Sequence, residues 1–128
     1  MALTDRYEFC VFSKHLSWLS VDELGKALAE IGFDGVDLAV RPGGHVEPEN
    51  VASELPAAVE TLARHGISCP MIVTNITEPS EQAEQVIEAA AGAGVRYYRM
   101  GYLHYGDSIQ ASLDEHRRTF VRLAELNE

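Results

Sequence analysis

Three segments decide the fold: Ala29-Glu30-Ile31-Gly32-Phe33, Ala63-Arg64-His65-Gly66-Ile67 and Ala91-Gly92-Ala93-Gly94-Val95. Each closes a run with apolar residues at helical spacing. Each then places a glycine where a helix can end in the left-handed region, and opens a strand-like apolar run. The glycines recur roughly every 30 residues, the length of one strand–helix unit.

Around these joints, residues 7–12, 35–40, 69–73 and 96–100 read as four strands. Ser20 and Glu23 have the spacing of a capping box, and Val21, Leu24, Leu28 and Ile31 follow as the inner stripe of the first helix. The second helix is expected to begin near Leu55-Pro56, where proline suits a first turn, with Val59, Leu62 and Ala63 inward. Ser80 caps a third helix with Ala83, Val86, Ile87 and Ala90 inward. A fourth begins at Asp107 or Ser108, with Ile109, Leu113, Phe120 and Leu123 inward.

Alternating strands and helices imply a parallel sheet with right-handed crossovers. The units are similar and consecutive, and the first strand-to-helix loop lacks a glycine-rich phosphate fingerprint. The expected architecture is α/β: a single domain over residues 1–128, with strand order 1-2-3-4. It is a (βα)4 half of a TIM (β/α)8 barrel. Four strands cannot close such a barrel. Open edges at the first and fourth strands then predict self-association.

The net charge of −10 disfavours nucleic acid as a partner. No apolar run is long enough for a membrane span, and the N-terminus lacks the pattern of a signal peptide. Cys10 and Cys69 have no metal-ligand spacing and read as reduced, packed thiols of a cytoplasmic protein.

Barrel chemistry sits on the loops that follow the strands. Those loops carry Ser13, Lys14 and His15; Arg41 and His45; Thr74 and Asn75; and Arg99, Tyr102, His104 and Tyr105. Donors dominate, which suits the hydroxyls and anionic groups of a sugar or sugar phosphate. The predicted substrate-binding set is Lys14, Arg41, His45, Asn75, Arg99, Tyr102 and His104. Carboxylates are scarce: only Asp37 and Glu47 are expected near the mouth, so no catalytic base and no metal ligand is assigned. Several residues keep a second reading. Lys14 and His15 also read as solvated loop residues, and Gly43-Gly44-His45 as a simple turn. Asp37 also reads as the structural partner of Arg41 or Arg99, and His104 as a packed aromatic. His65 is expected to complement a helix dipole, and His116 to be an ordinary helix residue.

The segments Phe12-Ser13-Lys14-His15-Leu16, Gly32-Phe33-Asp34-Gly35-Val36-Asp37-Leu38, Arg41-Pro42-Gly43-Gly44-His45-Val46 and Tyr97-Tyr98-Arg99-Met100-Gly101-Tyr102 resemble the sugar phosphate isomerase/epimerase family. That family has the xylose-isomerase-like barrel, and the resemblance spans its N-terminal half. It implies aldose–ketose isomerisation or epimerisation through a metal-bound enediolate, with two glutamates as bases. The divalent metal, Mn²⁺ or Mg²⁺, is held there by residues of the later strands, which have no counterparts in this sequence. No tightly bound metal is therefore expected on this chain, and the chain alone is expected to be inactive. By the same resemblance His45 matches a substrate-contacting position. His104 lies where some relatives, including apurinic endonucleases, place a strand-four histidine. A half-barrel that binds sugar phosphate without turnover, or a purely structural one that self-associates, is the alternative.

Overall fold

The computed structural model describes residues 7–128. Its strands are β1 (Cys10–Phe12), β2 (Gly35–Val40), β3 (Ser68–Thr74) and β4 (Tyr97–Arg99). They alternate with helices α1 (Val21–Ile31), α2 (Val51–Arg64), α3 (Glu81–Gly92) and α4 (Ile109–Leu126). The sheet is parallel throughout, in the order β1-β2-β3-β4. This is the α/β arrangement expected from the three joints. Gly32, Gly66 and Gly94 all adopt positive φ, so each reverses the chain as its position in the sequence implies.

The pleat divides the sheet into two chemistries. Val36, Leu38 and Val40 are fully buried in one cluster with Leu24 and Leu28 of α1, Leu55 and Leu62 of α2, and Val86 of α3. Alternate residues point to the opposite face, where Phe12 lies opposite Asp37, Asp37 opposite Met71, and Met71 opposite Tyr97. That face mixes Phe12, Asp37, Met71 and Tyr97 with the buried Ala39 and Val73.

Helix starts follow their caps. Ser20 and Glu23 form the complete capping box, and Ser80 and Ser108 each accept a backbone N–H from the third residue on. The second helix departs from expectation by starting at Val51, not near Pro56. Pro48 opens a 3₁₀ turn that leads directly into it. Its buried stripe is Val51, Leu55, Ala58 and Leu62, while Ala63 is exposed. Pro56 sits on the solvent side. The helical bond it cannot make would go to Ala52, which is also exposed and can be served by water.

Three further features differ from expectation. Regular pairing in the first strand begins at Cys10, although the Phe9 carbonyl still accepts bonds from the Asp34 and Gly35 amides. Ile31 is exposed, because left-handed Gly32 brings Phe33 back against the core in its place. On α4, Leu123 is buried, but Ile109, Leu113 and Phe120 are 61%, 46% and 47% exposed. No described element lies beyond α4 to cover that stripe.

Candidate functional site

The loops that leave the C-terminal ends of the strands are built from specific backbone bonds. Ser13 follows β1 directly and is fully buried. Its Oγ accepts the Ala39 N–H at 2.9 Å and lies 3.1 Å from His45 Nδ1. One hydroxyl thus joins β1, β2 and the loop after β2. In that loop the Gly44 N–H donates to the Arg41 carbonyl at 2.8 Å, and the Val46 N–H to the Ala39 carbonyl at 3.2 Å. The two glycines serve different purposes. Gly43 takes φ +73, and a Cβ on Gly44 would lie 2.6 Å from the Ala39 carbonyl oxygen. Glu47, expected near the mouth, is occupied in holding the loop: its Oε1 accepts the Gly43 N–H at 2.9 Å.

The structure places the His45 ring against Ser13 and outside the cavity that holds most of the predicted binding residues. Because Ser13 Oγ already accepts from Ala39, its own O–H can donate to Nδ1. Nε2 is buried and has no hydrogen-bond partner among the described residues. Burial pushes the His45 pKa below the ordinary value, outweighing the Leu16 and Leu19 backbones, which favour the charged ring. A depressed folded pKa means the unfolded chain takes up the proton first. The stability contribution is complete above the unfolded pKa of about 6.5 and is lost as pH falls through the folded value. Tm should drop between pH 7 and pH 5 in thermal melts, and His45→Gln should flatten that dependence. An unchanged slope in the variant would assign the effect elsewhere.

Arg41, Asn75, Arg99, Tyr102 and His104 line one cavity of about 290 Å³, together with Thr74 and Thr77. The Arg41 guanidinium lies 5.4 Å from the centroid of the Phe12 ring, and that of Arg99 lies 5.1 Å from it. Arg99 also stands 5.8 Å from the Tyr102 ring. The Thr74 hydroxyl donates to the Arg99 carbonyl at 2.8 Å and accepts the Ile76 N–H, tying the ends of β3 and β4 together. At Gly101 a Cβ would come within 3.1 Å of the Asn75 carbonyl oxygen, so this glycine lets the two loops meet. Lys14 and His45 line a neighbouring cavity of about 270 Å³, with Arg41 as the shared wall. The seven predicted residues thus fall into two adjoining groups.

Asp37 sits on the same face, on the strand that leads to Arg41. Burial raises its pKa, and the Arg99 charge opposes that rise. Neither Arg41 nor Arg99 has a carboxylate oxygen within 4 Å among the described residues. Away from the mouth, where the end of α2 meets the start of α1, His65 Nε2 lies 2.8 Å from Asp22 Oδ1. His65 stands at the C-terminal end of α2, where its place in the sequence put it, and the contact with Asp22 is added to that position. His116 is likewise more than a plain helix residue, because its Nε2 bonds the His104 carbonyl and anchors the last loop to α4.

Sequence reasoning misses Phe12 as the platform beneath the two guanidiniums. A signal for it exists: an aromatic ends the first strand, and two arginines stand downstream at other strand ends. Thr77 is also missed, and nothing local marks it.

The cysteines are free, and burial pushes Cys10 up to about 11 and Cys69 up to about 12, so neither offers a thiolate near neutral pH. The divalent metal implied by the resemblance finds no fit: no group of three or more His, Cys, Asp or Glu is placed to hold an ion among the described residues. No helix of the described residues is long and apolar enough to cross a membrane. No known protein family matches the chain, and no curated protein is significantly similar to it.

Proposed function

We propose that this chain supplies the substrate-binding rim of a sugar or sugar phosphate isomerase or epimerase, working in the cytoplasm. One observation carries the reading: five donor side chains, from the end of β4 and the loops after β2, β3 and β4, converge on a single cavity at the C-terminal ends of a parallel sheet. Amide, phenol and guanidinium groups suit a polyol, and the arginines suit an attached anion. Proton transfer beside a carbonyl needs a base and an electrophile. Asp37 lies on this face of the sheet, and no carboxylate lines the cavity among the described residues, so the chain is read as binding substrate and not as turning it over.

The test is a panel of ketoses and their phosphates, with Mn²⁺ or Mg²⁺ present and then chelated. The 128-residue chain should bind ketoses, seen as NMR shift changes at Asn75 and Tyr102, without turnover. Metal-dependent turnover by this chain alone would refute the division between rim and machinery. Absence of any ketose binding would refute the reading itself.

Self-association is a second reading, favoured by exposed Phe9, Tyr97 and Phe120 beside the open β1 and β4 edges. Sedimentation velocity should show a dimer or larger species; a monomer across a hundredfold range of concentration would exclude it.

A further inference from the structure

We propose that Arg41 and Arg99, set over the Phe12 ring, form a clamp for a phosphate monoester. This rests on the reading of the mouth as a sugar or sugar phosphate site, and names the group that the site grips.

Acidic residues outnumber Lys and Arg by 20 to 10, so a cation on this chain has many available carboxylates. These two guanidiniums nevertheless gather on one ring and line one cavity, with no carboxylate oxygen within 4 Å among the described residues. Bringing like charges together is unfavourable. The ring face offsets part of that cost, since each cation–π contact contributes about 0.5–1 kcal/mol at an exposed site. Neither guanidinium donates a hydrogen bond to another side chain or carbonyl among the described residues, so their N–H groups are available to an oxyanion.

Charge selects the ligand class. Two guanidiniums match a group of about −1.5 to −2, which a phosphate monoester carries at pH 7. A carboxylate would satisfy one of them. Asp37 is the opposing group on this face. It stands beyond contact distance of Arg99, and burial favours its neutral form. Asn75 and Tyr102 line the same cavity and are placed for the hydroxyls of the attached sugar.

The experiment titrates the 128-residue chain, followed by NMR and calorimetry, with fructose, fructose 6-phosphate, gluconate and inorganic phosphate. Fructose 6-phosphate should bind about tenfold or more tightly than fructose, as expected for charge-assisted bonds. Arg41→Gln and Arg99→Gln should each remove most of that gain, so that each variant binds fructose 6-phosphate little better than it binds fructose. Raising salt should erode the gain as well, a check that needs no variant. If the phosphate ester binds no better than fructose, or both variants bind it as the parent does, the clamp is wrong and the sugar reading stands. Gluconate matching fructose 6-phosphate would overturn the assignment to a dianion. If inorganic phosphate binds through both arginines while fructose does not bind, the clamp stands and the sugar reading fails. If nothing binds to the folded chain, both fail.

Discussion

Ser13→Ala is expected to lower stability by roughly 2–4 kcal/mol, an unusually large effect for the loss of one oxygen. The buried hydroxyl accepts from Ala39 and faces His45 Nδ1. Alanine removes the partner that both of those groups share at a fully buried position. An orphaned buried polar group costs about 1–3 kcal/mol, and here there are two. A fall in Tm of about 10 °C should follow in a chain of this size. The substitution should also reach the binding site. The loop from Arg41 to Val46 is tied to β1 through this hydroxyl, so its release should loosen Arg41 and weaken binding of a ketose phosphate. A Tm within about two degrees of the parent would show that water or a shifted side chain replaces the bond.

Leu38→Ala should destabilise by about 2–5 kcal/mol through a different route. Leu38 is fully buried at the centre of β2, in the apolar layer between the sheet and the helices. Removing its branched end loses transfer free energy and leaves a cavity that a parallel sheet, held on both sides by its neighbours, cannot readily close. Denaturant unfolding measures the loss. Because Leu38 points away from the mouth, ketose phosphate affinity in the folded variant should match the parent. The two variants together separate loss of stability from loss of the site. Equal weakening of binding in both would mean that the site depends on global stability and not on the Ser13 bond.

Much of the fold is legible in the sequence because its signals are short-range. A serine cap with a glutamate three residues on is satisfied within one turn, as at Ser20 and Glu23. A glycine that must adopt positive φ declares itself by following a helical stripe, as at Gly32, Gly66 and Gly94. Helix stripes are legible only where both neighbours exist. Leu24 and Leu28 are buried as their spacing implies. Phe120 has the spacing of an inward residue and is exposed, since periodicity shows that a face is apolar and not what lies against it. Pro56 misleads in a similar way, because tolerance of a proline depends on whether the orphaned carbonyl meets water.

The candidate site is legible as a collection and not as a geometry. Strand ends are visible in the sequence, so Arg41, Asn75, Arg99, Tyr102 and His104 can be assigned to one mouth from their positions in the chain. His45 belongs to the same collection, yet its ring meets Ser13, a residue 32 positions earlier, and lines the neighbouring cavity instead. Phe12 reads as an ordinary strand residue, although both guanidiniums rest on it.

The amino-acid order alone dictates the four strand–helix units, their joints and caps, the parallel strand order and the acidic charge. These follow from backbone preferences and apolar spacing that act within a few turns of chain. Three features come from tertiary packing instead. Arg41 and Arg99 share one ring and one cavity, His45 meets Ser13 beside the adjoining cavity, and the outer stripe of α4 is bare. Each of these depends on distances between residues far apart in the chain. Such distances are set by sheet register and loop closure, which no local pattern encodes.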